Sequence, residues 1–359
     1  MRPVTAVAIS GGVDSLIAAY LLQQQGHRVI GVHFVNGYEE GLHPPAAGMA
    51  PNDWSSLRKQ GKGMEAIASR LGIELRIIDC RQPFQKEVID YFIATYRNGK
   101  TPNPCLVCNP LIKFGVLLNA AKTFGAERLA TGHYARLWQA PDSGLRLLTG
   151  IDSRKDQSYF LAFLRPSQLA EASFPLGEME KKDVRAMAEK TGLSPLTRLE
   201  SQDVCFLAGQ PYSVFLEKAG LPFRPGEIVD QAGNILGWHN GLHLFTVGQR
   251  KGINCPAGHA YYVLKLDTAA NRLVVGRREE LFSRQCLVEQ INWIVTPPAL
   301  EFTAKTRIRY RHTAAPSTVS LHPDGSATVC FHQPQSAVTP GQGAVFYQDD
   351  EVLGGGWIV

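Results

Sequence analysis

A chain of 359 residues exceeds the usual size of one hydrophobic core, which predicts two or three domains. With 44% hydrophobic and 19% charged residues it reads as a globular protein, and no apolar run near the ~20 residues of a membrane span is expected. The net charge of +5, with a pI near 8.8, permits a nucleic-acid partner without requiring one. Met1-Arg2-Pro3 leads straight into an apolar strand, so a signal peptide is not expected and the cytoplasm is the expected compartment. Seven cysteines are an odd set for such a compartment, and argue for chemistry or burial instead of a disulfide framework.

From Val4 to about Thr131, short apolar strands alternate with amphipathic helices. Val4 to Ile9, Arg28 to Phe34, Glu74 to Asp79 and Arg128 to Thr131 read as strands; Val13 to Gln25, Glu65 to Leu71, Phe84 to Arg97 and Ile112 to Phe124 read as helices, three of them closed by Gly26, Gly72 and Gly125. This order predicts a doubly wound parallel sheet covered on both faces, with its ligand crevice at the carboxyl ends of the strands. Asn36 to Gly63 lacks periodicity and reads as a loop over that crevice. Phe174 to Gly192 reads as one further helix. From Gly226 onward Gly and Pro recur among short alternating strands, Lys305 to His312 among them. The expected division is an α/β domain over 1–203, a small β-rich linking domain over 204–280 and a small β-barrel over 281–359.

Ser10-Gly11-Gly12-Val13-Asp14-Ser15 lies between a strand and a helix. Two glycines let the backbone approach an anion closely, and the free N–H groups of the first helical turn point at the bound oxygens. Asp14 can hold a metal ion or order the loop. The lysine of a Walker A loop is missing. The pattern resembles the PP-loop of ATP pyrophosphatases, which split ATP between its α and β phosphates and transfer AMP to an oxygen that is to be displaced.

Thr101-Pro102-Asn103-Pro104-Cys105-Leu106-Val107-Cys108-Asn109 reads as a proline-stiffened turn before a helix, holding two thiols. A lone C-x-x-C is compatible with half a zinc site, a redox dithiol or part of an iron–sulfur site. Cys205 follows the polar run Ser201-Gln202-Asp203, while Cys80, Cys255, Cys286 and Cys330 look incidental. Lys305, Arg307, Arg309 and Arg311 alternate with Thr306, Ile308 and Tyr310, so a strand would put four cations on one face, suited to a line of phosphates.

These blocks, with Ile112-Lys113-Phe114, Thr131-Gly132-His133-Tyr134, Lys155-Asp156-Gln157-Ser158-Tyr159-Phe160-Leu161 and Thr246-Val247-Gly248-Gln249-Arg250-Lys251-Gly252, resemble in order the tRNA-specific 2-thiouridylase family over essentially the full length. The resemblance implies a PP-loop adenylating domain followed by the two β-rich domains. It also implies ATP-dependent adenylation at C2 of the wobble uridine of tRNA, followed by sulfur transfer to give 2-thiouridine. It implies ATP binding by Ala8, Ile9, Ser10, Gly11, Gly12, Val13, Asp14, Ser15, Phe34 and Gly132, with Mg2+ on the phosphates. Cys205 would carry a persulfide and Cys108 would be its partner thiol. Asn103, Pro104 and Cys105 would face the base, and Lys155, Asp156, Gln157, Arg309 and Tyr310 would contact tRNA. A persulfide-carrying protein would supply the sulfur, and no membrane is involved. Many members have Asp where this chain has Cys105, and three thiols around an open position also suit a [4Fe-4S] cluster held by Cys105, Cys108 and Cys205. The rival readings are another PP-loop adenylating enzyme and a tRNA-binding iron–sulfur protein without adenylation.

Overall fold

The computed structural model describes residues 2–38, 64–140, 144–193, 204–255 and 258–359. The expected crevice loop beyond Tyr38 lies outside the described residues. Backbone contacts divide the chain into two units: 1–88, 105–209 and 350–352 form the first, and 89–104, 210–349 and 353–359 the second.

In the first unit, β1 (Val4–Ala8), β2 (Arg28–Val35), β3 (Glu74–Asp79), β4 (Arg128–Ala130) and β7 (Ala172–Ser173) form a parallel sheet in the order β3-β2-β1-β4-β7. β1 is flanked by β2 and β4, so the order reverses at β1 and its carboxyl end opens at the switch point where such sheets bind ligands. β5 (Ala135–Ala140) and β6 (Gly144–Thr149) form an antiparallel hairpin, joined at Leu148 by Glu351. Val13–Gln24 is helical with Ser15, Leu16, Ile17, Ala18, Ala19 and Leu22 buried, and it ends at Gly26, whose φ of 84° only glycine adopts readily. It packs with the helix Lys181–Lys190, and Ile17, Leu22, Val184 and Ala188 share one core with Val7 and Ala130.

The turn expected around Cys105 and Cys108 is the first turn of a helix instead. Helical backbone runs from Pro104–Cys108 through a wider π stretch, Asn109–Leu117, to Leu118–Thr123. Pro104 suits a helix start, because its missing N–H would have no partner there. Pro110 lies inside the helix, where its ring opposes regular α geometry, at the start of the π stretch that accommodates it. Gln168 donates its amide to the carbonyls of Pro110 (2.7 Å) and Phe114 (2.9 Å). Contrary to the sequence expectation, Pro104–Thr123 is long and apolar enough to cross a membrane by length and composition, and 56% of that window is buried inside the protein. Leu106, Ile112, Phe114 and Leu117 are core residues.

In the second unit, β8 (Gly226–Val229), β9 (Ile235–His239), β10 (Tyr262–Asp267) and β11 (Arg272–Gly276) form a sheet in the order β10-β11-β8-β9. Its core holds Ile228, Phe245, Val263, Leu273 and Val275. β12 (Phe282–Trp293), β13 (Glu301–Arg307), β14 (Ala315–Leu321), β15 (Ala327–Ser336), β16 (Gly343–Gln348) and β17 (Glu351–Ile358) follow as an antiparallel barrel, closed by the pairing of β12 with β17. Val288, Val319, Val329, Ala344 and Phe346 fill it. The expected fold class, an α/β parallel-sheet domain followed by two β-rich parts, is the observed one.

Candidate active site

The loop after β1 is built by its own side chains. Gly11 has φ +81°, and a Cβ there would come within 2.8 Å of the Met64 side chain. The Ser15 hydroxyl turns back to donate to the Gly12 carbonyl (2.9 Å), and the Ser10 N–H donates to the Ser15 oxygen (3.2 Å). His33 reaches the Ile9 carbonyl at 2.7 Å. The result is a closed backbone cradle at the N-terminus of the Val13–Gln24 helix, where N–H groups lack intrahelical partners and favour an anion.

Gly132 packs backbone against backbone on that helix start. A Cβ at Gly132 would lie 2.8 Å from the Asp14 carbonyl carbon and 2.9 Å from the Ser15 nitrogen. Beside it the buried His133 ring bonds through Nδ1 with the Thr131 hydroxyl (2.7 Å); burial, and secondarily the Lys113 charge, hold its pKa well below the ordinary imidazole value. It is a neutral, structurally engaged ring at physiological pH.

Asp14 is the most heavily engaged side chain of the loop. Its carboxylate accepts from the Lys181 ammonium at 2.7 and 2.8 Å and from the Tyr134 hydroxyl at 2.8 Å. Among the described residues, no group of three His, Cys, Asp or Glu side chains stands where it could hold a metal ion. The chain's own ammonium takes the place at Asp14 that a divalent cation would need, so the residues present do not fit a metal there.

The thiols gather in this same unit. Cys108 is buried, Cys105 half-buried and Cys205 exposed. Burial pushes the Cys108 thiol far above the ordinary range, and the nearby Cys205, Cys105 and Cys80 add to it while Lys113 pulls it back. Cys205, open to solvent on one side, lies against packed protein that pushes its thiol up to about 11; Cys105 adds to that shift and Lys113 again opposes it. Cys105 is raised by burial, with Lys113 opposing. Among the described residues Lys113 is the cation that acts on all three thiols and on His133, a role its place in the sequence did not reveal. Among the described residues, Cys105, Cys108 and Cys205 likewise form no group placed to hold a metal ion.

Aromatic contacts tie the Cys205 segment to β2. Phe206 meets Phe84 and Tyr38 at 6.0 and 6.2 Å between ring centroids, and Phe84 meets Phe34, on β2, at 6.5 Å. Ala8, Ile9 and Val13 are the backbone of the loop and its flanks.

The remaining expected site residues are distributed unevenly. The Asp156 carboxylate is 5% exposed and accepts from the Gly150 and Ser158 N–H groups (3.1 and 3.0 Å), while Gln157 and Tyr134 exchange two hydrogen bonds, 3.1 and 2.8 Å. Lys155 is half-buried in the same turn. Asn103 and Pro104 belong to the second unit, where the Asn103 N–H donates to the Tyr91 hydroxyl (3.2 Å). Thr101 and Pro102 are held there by Gln342, whose amide donates to both carbonyls (3.1 and 3.0 Å). A Cβ at Gly341 would approach the Thr101 oxygen to 2.8 Å, so only glycine fits. A cavity of about 460 Å³ in this unit is lined by Thr101, Thr246, Gly248, Arg278, Arg309 and Gln342 among others.

The expected four-cation strand is corrected. β13 ends at Arg307; Lys305 and Arg307 share its outer face, but Arg309 and Arg311 lie in the turn that follows, fixed by the His312 N–H to Arg309 carbonyl bond (3.0 Å). Ile308, 1% exposed, continues the inward positions of Phe302, Ala304 and Thr306 and anchors the chain into the barrel where the strand stops. Arg309 donates to the Ser336 carbonyl (3.1 Å), and Arg307 lies over the Tyr310 ring, 5.5 Å from its centroid.

Three family models match the chain: a tRNA methyl transferase HUP domain over 4–209, a tRNA methyl transferase PRC-barrel domain over 213–277 and an aminomethyltransferase beta-barrel domain over 283–358. A curated relative from Desulfosudis oleivorans, tRNA-specific 2-thiouridylase MnmA, is 48% identical over 359 residues, covering 99% of this chain and 95% of its own. Relatives of the same name from Trichlorobacter lovleyi and Magnetococcus marinus are 44% and 43% identical, covering 98% and 99% of this chain and 96% and 98% of their own. A solved 4-thiouridine synthetase–RNA complex with bound ATP aligns with a TM-score of 0.33 at 17% identity, over 60% of this chain and 50% of its own, too loosely to carry an argument.

Proposed function

The chain belongs to the tRNA-specific 2-thiouridylase family and is a tRNA sulfurtransferase; we propose that it works by adenylating C2 of the wobble uridine with ATP and then exchanging the activated oxygen for sulfur. The base oxygen attacks the α phosphorus, and pyrophosphate departs toward the N–H groups of Gly11 to Ser15. Mg2+ enters on the nucleotide phosphates, as part of the substrate, and not on Asp14. Adenylation matters because a carbonyl-type oxygen leaves poorly, whereas AMP leaves well.

In the sulfur step, the terminal sulfur of a Cys205 persulfide attacks C2. The Cys108 thiolate attacks the inner sulfur, the persulfide S–S bond breaks with its electrons going to the transferred sulfur, and AMP departs. The Cys108–Cys205 disulfide so formed is reopened by an external dithiol, and a persulfide-carrying protein reloads Cys205. Lys113 favours the thiolates this chemistry needs. Asn103 to Cys105 face the base, Lys155 and Gln157 line the approach of the tRNA on a turn that the buried Asp156 holds in place, and the β-rich parts, taken as 204–280 and 281–359, bind tRNA through Arg309 and Tyr310. The compartment that fits this substrate is the cytoplasm.

The observation that carries this reading is that two free thiols far apart in sequence, Cys108 and Cys205, belong to the same unit as the glycine loop. Mass spectrometry of tRNA incubated with ATP, Mg2+ and a persulfide donor tests it: oxygen-to-sulfur exchange must require ATP and both cysteines. In a second reading, Cys105, Cys108 and Cys205 would hold a [4Fe-4S] cluster that would supply the sulfur; burial raises all three thiols and they neighbour one another, but among the described residues they form no group placed to hold a metal ion. Iron and sulfide analysis after anaerobic purification separates the two, and iron-free active protein ends the second.

A further inference from the structure

An anion-binding helix N-terminus that carries a carboxylate in its first turn contains its own contradiction. Asp14 sits in the second position of the Val13–Gln24 helix, two residues after the last of the glycines that would cradle phosphate. An unmasked negative charge there repels a triphosphate across a few ångströms, where Coulomb interactions are strong and poorly screened. The chain resolves this with a cation brought from far along the sequence. Lys181, the first residue of the Lys181–Lys190 helix and only 5% exposed, places its ammonium against both Asp14 oxygens and 5.7 Å from the centre of the Tyr134 ring.

The placement is enforced from behind. The Lys181 N–H donates to the Asp152 carboxylate (3.0 Å), whose other oxygen accepts from the Arg154 N–H (3.0 Å). Tyr134, the second donor to Asp14, is fixed by its main-chain exchange with Gln157. Two independent supports from the 152–157 turn therefore converge on one carboxylate.

We propose that Lys181 is a positioning residue that masks the Asp14 charge, so that the loop keeps a net field attractive to the ATP triphosphate while Asp14 still orders the helix start. A lysine immediately after the glycines, as in a Walker A loop, is absent; here the cation acts through Asp14. The proposal rests on the ATP-binding reading of this loop.

The test is calorimetric titration of the full-length protein with the α,β-methylene analogue of ATP, which binds without being split. Lys181→Met, which uncovers Asp14, should bind at least about tenfold more weakly, with the deficit shrinking as salt rises. The double variant Asp14→Asn/Lys181→Met, neutral at both positions, should return to within about threefold of wild type. A Lys181→Met protein that binds like wild type overturns the proposal, as does a folded double variant as weak as the single one. If Lys181→Met does not fold, the double variant decides alone: binding tenfold weaker than wild type overturns the masking role. Failure of the wild-type protein to bind the analogue would instead sink the ATP-site reading itself.

Discussion

The glycine loop after β1 and the thiol group of the same unit are in opposite states of readiness. In the loop, Ser10, Gly12 and Ser15 bond to one another, Gly132 braces the helix start, and Asp14 is matched by Lys181 and Tyr134. Its geometry is set by the chain alone, so a nucleotide bound there, as proposed, would need little ordering. The thiols are the reverse: burial raises the pKa of Cys105, Cys108 and Cys205 alike, and among the described residues Lys113 is the cation that opposes it in each. The contrast suggests an order of events, with nucleotide chemistry preset and sulfur chemistry silent until a persulfide or substrate changes its surroundings.

The sharpest way to break that contrast is to disable one half alone. Cys205→Ala should lower tRNA thiolation at least about a thousandfold while ATP–pyrophosphate exchange stays near wild type. Loss of both activities together would mean that the halves are not separable. The complementary change, Gly132→Ala, forces a methyl group into the Asp14 backbone. It should cost about 1–3 kcal/mol of stability and weaken nucleotide binding about tenfold or more. Alkylation of Cys205, measured on protein that remains folded, should not change.

The thiol half is sharpened by pH. With its pKa pushed up to about 11, Cys205 is mostly protonated at neutral pH, so its alkylation rate should climb about tenfold per pH unit from pH 7 and level off only near 11. Lys113 lowers that pKa, so Lys113→Met should move the curve to still higher pH and slow alkylation at pH 8 by about threefold. An unchanged curve would remove Lys113 from the account.

What the sequence made legible follows the range of the interactions. The parallel sheet, the loop and the barrel strands are written in local alternation and in adjacent glycines, and the structure has them. Pro102 and Pro104 suggested a turn because proline usually ends a helix; at a helix start it costs nothing, and a π stretch absorbs Pro110. Lys181, Asp152 and Gln342 were not picked out as site residues because each acts on a segment far away in sequence: Lys181 on Asp14, Asp152 on Lys181, Gln342 on Thr101 and Pro102. No spacing rule links such pairs. The positive stripe misled for the opposite reason, since perfect alternation from Lys305 to Arg311 continues in the sequence after the strand has stopped at Arg307.

That correction sets the smallest expected effect. Lys305 and Arg311 are exposed, whereas Arg309 spends a guanidinium N–H on the Ser336 carbonyl and lines the cavity beside Thr246 and Gln342. Arg311→Ala should therefore weaken tRNA binding about equally for all tRNAs and reduce the slope of log affinity against log salt by about one, the signature of one lost phosphate contact. Arg309→Ala should reduce the slope by no more than that, yet weaken binding further at every salt concentration, because it also releases a carbonyl that shapes the cavity wall. Filter binding of tRNA across a salt series distinguishes the two. Identical slopes for wild type and Arg311→Ala would take the turn after β13 out of the tRNA-binding surface and leave Lys305 and Arg307, on the outer face of the strand, as the candidates to test next.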